Sequence, residues 1–422
     1  MNAPAESEVA SLAAATPLRH TAATLLRNTA TIRDRANALL ARARAGQSAW
    51  FAIGDDAAMD RTAQIVADVT RERYGDGPIP YHSRWRHFEA GGVDRRAELD
   101  RALGDVSAAE RARAHIDLTV VSVLLDAGAG PDWRYVEAIS GQPFGRSEGL
   151  GVASFRAFMD GLFSSHANRP FQADAAGLRA VTAAHLGAAF QVSQSNALIG
   201  LPGRVTLLHR LADALSEQPR VFGTATRPGG MFDVLTKSAG SVAAHDILSL
   251  LLATLSGVWP APNRIGDVAL GDCWPHAAVR GDGASDGWMP FHKLSQWLTY
   301  SLLEPFEWAG VTVAGLSALT GLPEYRNGGL LLDAGVIVPK DSATLDQTWH
   351  VGDEFIVEWR ALTVALLDEL APRVRKILGK TETEMPLACV LEGGTWAAGR
   401  ALAQQLRAGA PPLGITSDGT VF

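Results

Sequence analysis

Between positions 322 and 329 the chain reads Leu322, Pro323, Glu324, Tyr325, Arg326, Asn327, Gly328 and Gly329, which puts a carboxylate, a guanidinium, an amide and two glycines into one short segment. A carboxylate in such a setting can activate a water or stabilise a developing positive charge, while Arg326 and Asn327 hold oxygen atoms of a polar ligand. The plainer reading is a turn in which Glu324 and Arg326 serve structural hydrogen bonds. Upstream, Pro290, Phe291, His292, Lys293, Leu294, Ser295, Gln296 and Trp297 supply a second polar and aromatic cluster. An apolar helical stretch then reaches Glu304 and is expected to stop at Pro305. The two clusters are expected to face one pocket. Trp288, Phe291 and Trp297 are the side chains that would stack on a planar group, or equally would serve as core.

A third cluster occupies 81–92, where His82, Arg84, Trp85, Arg86, His87 and Phe88 precede Gly91 and Gly92. Arginine forks and glycine amides are the chemistry of an anion site; the alternative is an ordered loop whose arginines pair with surface acids. His82 and His87 have no third ligand at a diagnostic spacing, so no metal is expected. Gly128 and Gly130, like Gly149 and Gly151, do not complete a strand–GxGxxG–helix unit and read as helix punctuation. The chain also lacks a phosphate loop ending in Gly-Lys-Ser/Thr and a Gly-x-Ser-x-Gly elbow. Glu392, Gly393, Gly394, Thr395 and Trp396, then Gly399 and Arg400, read as a loop entering a helix. Its amides are open to an anion, or Trp396 is simply a packing anchor.

The elements that must position these residues are helical. Apolar residues at helical spacing (Leu25, Leu26, Ile32, Leu39, Leu40) predict a helix over 18–45, with Arg27, Arg33, Arg35 and Arg42 on a solvated face. Helices are also expected from about 56, and over 108–126, 151–163, 175–190, 205–215, 241–255, 294–303, 353–370 and 395–406. The irregular segments are 81–94, 141–149, 227–233, 259–291 and 322–330, the loops on which function commonly sits. Strand signals are sparse. The fold class expected is mainly α, a compact multi-helix globular domain with few short strands, covering 18–422 as one domain with room for two lobes, after a flexible start over 1–17.

At 422 residues with 47% hydrophobic content, the chain has ample material for a core. The balance of 38 Lys+Arg against 45 Asp+Glu, a net charge of −7, argues against nucleic acid as a partner. Two distant cysteines, Cys273 and Cys389, fit neither a disulfide framework nor zinc spacing, and suit a reducing cytoplasm. No secretory signal is read in the Ala-rich start, which carries Glu6 and Glu8. No apolar run reaches the roughly 20 residues needed to span a bilayer.

The segment from Arg84 to Gly92, that from Phe291 to Trp297 and that at 322–329 resemble, in that order, those of a bacterial and fungal uracil-catabolism family, the fourth protein of the reductive-independent uracil degradation pathway. The resemblance runs from about residue 18 to the C-terminus. It implies a pathway in which uracil becomes its ribonucleotide, the ring is opened by a cyclohydrolase-like enzyme, and urea leaves from a ribosylurea-type intermediate. A fainter similarity, over the C-terminal half, is to the queuosine-salvage nucleotide glycosidases. It is carried by Lys293, Gln296, Leu319 and Thr320 through Tyr325 and Arg326, then Gly335 and Val336, with Glu324 standing where those enzymes have a ribosyl-site aspartate.

Together these resemblances imply a metal-independent N-glycosidase acting on a ring-opened uracil ribonucleotide such as ribosylurea 5′-phosphate, with no cofactor. Glu324 would be catalytic, and His292, Lys293 or Asn327 would assist the departing urea. Arg326, Asn327, Gln296, Trp297 and Phe291 would contact substrate, and Arg84, Arg86 and His87, on their chemistry rather than on the resemblance, would hold the 5′-phosphate. Other uracil-catabolism enzymes are the partners this implies. Two other readings stay open: a non-catalytic module that binds a pathway intermediate or partner enzyme, and an amidohydrolase acting on the opened pyrimidine.

Overall fold

The computed structural model describes residues 21–126, 128–237, 240–259 and 262–416. The expected flexible start over 1–17 lies outside them. The fold is mainly α. Among the described residues each strand is two or three residues long, and the strands pair in two-stranded ladders. Helix starts follow local chemistry: the side chains of Asn28, Asp55 and Ser107 accept from the amides of Ala30, Ala58 and Glu110, satisfying donors that the first turn cannot. No helix of the described residues is long and apolar enough to cross a membrane.

The backbone divides into two compact units that interleave along the chain. The first takes the described parts of 1–81, 260–296 and 317–422. Its axis is the helix Glu354–Leu378, against which Thr29–Arg44 and Asp56–Tyr74 pack. Every residue from Phe355 to Leu367 is buried. That helix is enclosed all round, so its polar members Glu358, Arg360 and Thr363 must find partners inside the protein.

The arginines of Thr29–Arg44 differ from expectation, because two of them are not on a solvated face. Arg35 is buried, donating to the carbonyls of Ser285 (2.8 Å) and Trp288, and Arg33 reaches Asp368 (2.8 Å) and the carbonyl of Leu319 (2.6 Å). A guanidinium's long apolar stem and five donors let it bind several loop carbonyls at once, which helical periodicity does not reveal.

The second unit takes the described parts of 82–259 and 297–316. Ala108–Leu124 is its most buried helix, and it packs on Arg146–Met159. The stretch expected as one helix over 175–190 is two, Ala175–Ala180 and Ala183–Ala189, because Thr182 caps the second through the amide of His185. Ser241–Ala243 is a strand, parallel to Thr312–Ala314, before the helix Ala244–Leu255 begins.

The expected stop at Pro305 does not occur: the helix Lys293–Trp308 runs through it. A proline cannot donate to the carbonyl four residues back, here that of Ser301. The indole Nε1 of Trp85 donates to that carbonyl at 3.0 Å and takes the missing amide's place.

Candidate functional site

In the first unit, Glu324 sits in extended backbone at the start of the helix Tyr325–Asp333 and caps it. Its carboxylate accepts from the amides of Arg326 (2.8 Å) and Asn327 (2.6 Å), which fixes its plane at the positive end of the helix. The segment 322–330 is therefore a loop-to-helix junction rather than a loop. Asn327 is fully buried: Nδ2 donates to the carbonyl of Leu322 at 3.0 Å, and Oδ1 accepts from Thr395 Oγ1 at 2.8 Å. Thr395 closes a π-helical turn, Leu391–Thr395, where a loop was expected. Arg326 donates to the carbonyl of Gly409 at 3.3 Å and lies over the Tyr325 ring. Gly328 is explained by packing, since a Cβ there would stand 2.5 Å from the indole of Trp359.

The cluster at 290–297 meets this junction through a pair the sequence did not single out. Arg360 forms two 2.8 Å bonds with Asp272 and lies 4.1 Å from the Phe291 ring centre, and its Nε donates to the carbonyl of Pro323 at 3.3 Å. Asp272 also accepts from the amide of Lys293 at 3.0 Å and from the indole of Trp274 at 2.7 Å. Burial pushes the Asp272 carboxyl up, but the facing Arg360 and these donors outweigh it and hold it below the usual carboxylate range. Gln296 makes the second link: its Oε1 accepts from the amide of Thr320 at 3.0 Å, and its Nε2 donates to that residue's hydroxyl. The structure thus joins two of the three sequence clusters within one unit.

The three side chains considered there for the departing urea differ in burial. His292 is buried, has a left-handed backbone (φ 50°), and its Nε2 lies 3.0 Å from the carbonyl of Leu26; burial lowers its pKa and keeps the ring neutral. Asn327 is spent on Leu322 and Thr395. Lys293 is partly exposed.

The third cluster lies in the second unit. Arg84 is fully buried, its Nε donating to Ser122 Oγ (2.6 Å) and its Nη1 to His87 Nδ1 (3.1 Å) and the carbonyl of Ser147 (3.2 Å); Asp126 Oδ1 is 3.2 Å from Nη1. His87 fits beside it because residue 151 is glycine: a Cβ there would come within 2.7 Å of the His87 Cβ. Burial, then the positive charge of Arg84, pushes the His87 pKa down to about 4.

Arg86 bonds Glu304 at 2.6 Å and Glu89 at 2.9 Å, while Ser83 Oγ donates to the other oxygen of Glu304 at 2.6 Å. Burial pushes the Glu304 carboxyl up to about 7, against the pull of Arg86 and Ser83. Arg86, Glu304, Phe88 and Trp308 line a cavity of about 520 Å³. The arginines expected to hold an anion thus each face a carboxylate of the fold.

Sequence reading also missed a cleft of about 680 Å³ in the first unit, which none of its candidate residues lines. At its edge Ser48 Oγ donates to one oxygen of Glu358, and His276 Nε2 lies 3.2 Å from the other. The His276 Nδ1 accepts from the amide of Ala278 at 3.1 Å, so the ring proton stands on Nε2 and points at Glu358. The one sequence signal was an acid inside a mainly apolar helical run. Among the described residues, no group of three or more His, Cys, Asp and Glu side chains is arranged to hold a metal ion.

A family model described as "Protein of unknown function (DUF1688)" matches residues 25–422. The chain is similar to the fission yeast (Schizosaccharomyces pombe) "Protein urg3", 40% identical over 402 residues that cover 93% of this chain and 96% of that one. It is also similar to "Uracil catabolism protein 4" of Lachancea kluyveri, 38% identical over 399 residues covering 86% and 90%.

Proposed function

The chain belongs to that DUF1688 family, and from this premise we propose that it acts in uracil degradation as a hydrolase of the N-ribosyl bond. The substrate class is a ring-opened uracil ribonucleotide such as ribosylurea 5′-phosphate. The observation that carries the reading is the convergence on Arg360: one guanidinium takes the carbonyl of Pro323, beside Glu324, and the carboxylate that holds the amide of Lys293. A fixed carboxylate and the backbone of the ammonium-bearing Lys293 are thereby held on one frame.

Breaking the C1′–N bond develops oxocarbenium character at the ribose, which a carboxylate stabilises while it takes a proton from the attacking water. The bonding electrons go to the urea nitrogen, a poor leaving group unless it is protonated, and the partly exposed Lys293 is the donor we assign to it. Ribose 5-phosphate and urea are the products. Two amides aimed at Glu324 keep it an acceptor in one orientation, as positioning of a base requires.

The same two amides support a second reading, in which Glu324 is only a helix cap and the protein binds a pathway intermediate without turning it over. Purified protein incubated with ribosylurea 5′-phosphate separates the two: repeated turnovers with equal release of urea and ribose 5-phosphate are expected. Saturable binding without urea would leave the non-catalytic reading. Glu324→Gln should lower turnover by about 100-fold or more, the size of a lost general base; full turnover in that variant would remove Glu324 from the mechanism.

A further inference from the structure

Among the buried N–H groups of the second unit that have no hydrogen-bond partner among the described residues are Nη2 of Arg84 and Nε1 of Trp297. The side chains are neighbours, with the Arg84 guanidinium carbon 5.8 Å from the centre of the Trp297 ring. Arg84 is 0% exposed and Trp297 8%. Buried donors are nearly always satisfied, so two orphans side by side call for an acceptor that is not part of the chain.

His87 completes the group. Its ring is 5.9 Å from that of Trp297, and its Nδ1 receives a hydrogen from Arg84 Nη1. A guanidinium only donates, so Nδ1 must accept, and the neutral ring carries its proton on Nε2. His87 is also partly exposed, which gives the group an opening. Every free polar hydrogen here is therefore a donor.

Charge decides which acceptor fits. Arg84 already faces Asp126, and Glu148 is close enough to act electrostatically on both Arg84 and His87. Asp126 also faces the buried Arg204, so two guanidinia are set against two carboxylates and no net positive charge is left for a phosphate dianion. Asp126 Oδ1, though ion-paired with Arg84 Nη1 at 3.2 Å, has no hydrogen-bond partner among the described residues.

We propose that Arg84, His87 and Trp297 form a receptor for a neutral carbonyl oxygen, with Asp126 taking the N–H beside it. A carbonyl flanked by N–H is an amide or a ureido group. Choosing the ureido group rests on the function proposed above; the neutral carbonyl does not. The assignment also moves Arg84 and His87 away from the phosphate-binding role that their residue types alone suggested.

The test uses the full chain, deuterated and carrying 15N in its tryptophan side chains. The Trp297 indole resonance is the one that disappears in Trp297→Phe. N-propylurea, which has a ureido group and no glycosidic bond, should move that resonance saturably, and inorganic phosphate at the same concentrations should not. Asp126→Asn, in which the indole still reports, should weaken N-propylurea on the order of tenfold, the effect of one lost charge-assisted bond.

A resonance moved by phosphate and not by N-propylurea would overturn the proposal in favour of an anion site. One moved by neither would show that the orphan donors serve no ligand. Binding of N-propylurea without urea release from ribosylurea 5′-phosphate would defeat the hydrolase reading and leave the receptor; urea release with an unmoved indole would do the reverse.

Discussion

The surroundings of Glu324 and those of Arg84 are both rich in buried polar groups, and they differ in how completely those groups are used. Around Glu324, the carboxylate, Asn327, Gln296, Asp272 and Arg360 all have protein partners, several with two or more, and one buried donor, Nε of Arg326, is left over. Around Arg84, two donors and one carboxylate oxygen are left over. A nearly completed network is a frame, which holds one group in one place at the cost of mobility. An incomplete one is tolerated only where something else completes it. Catalytic residue types are thus a weaker guide to ligand contact than unfinished hydrogen bonding.

The frame can be broken most severely at its centre. Arg360→Met removes the partner of a buried carboxylate, and the cost should be about 3–5 kcal/mol in guanidinium chloride unfolding. A loss below about 1 kcal/mol would mean that Asp272 and Arg360 do not hold the first unit together.

Glu304 offers a pH-dependent contrast. Its folded pKa is raised from the ordinary 4.5 to about 7, so the folded state binds the proton more tightly than the unfolded one. Its contribution to stability is then fully present below about 4.5 and is lost as the pH climbs through about 7. Glu304→Gln, uncharged throughout, should lack that decline. Melting temperatures of the two proteins across this window provide the measurement, and parallel curves would show that Glu304 does not titrate as described.

The finest comparison is between two indoles of the second unit. Trp85→Phe strands the carbonyl of Ser301, which Pro305 cannot serve, and should cost about 1–3 kcal/mol beyond lost packing. Trp297→Phe removes a donor that bonds nothing and should cost no more than about 1 kcal/mol. Equal losses in unfolding free energy would erase the distinction between the satisfied and the unsatisfied indole.

Helices were legible in the sequence because apolar periodicity is local. Ala108–Leu124 and Trp396–Arg407 fall where that spacing put them, whereas the single helix expected over 18–45 is broken at 27–28, where Asn28 caps Thr29–Arg44. Pro305 was misread because its compensation comes from Trp85, 216 positions along the chain from the Ser301 carbonyl it serves. The break between the helices at 175–180 and 183–189 had a local sign, Thr182 as a cap, that helical composition outweighed. At the site, Glu324, Gln296 and Arg84 announced themselves by type and company. Asp272, Arg360, Ser48 and His276 did not, since nothing near each in sequence tells a buried ion pair from an exposed one.

The π-helical turn at Leu391–Thr395 works as a phase shifter. One residue more than an α-turn needs rotates everything downstream by about 100° relative to an unbroken helix. That rotation turns Gly399 toward the carbonyl of Arg326, where a Cβ would stand 2.1 Å from the oxygen, and leaves Thr395 facing Asn327. Deleting Gly393 would keep every side chain that packs there and change only its angle. The helix Trp396–Arg407 would present a different face to the Glu324 junction, so the length of this turn is itself a specification of the site.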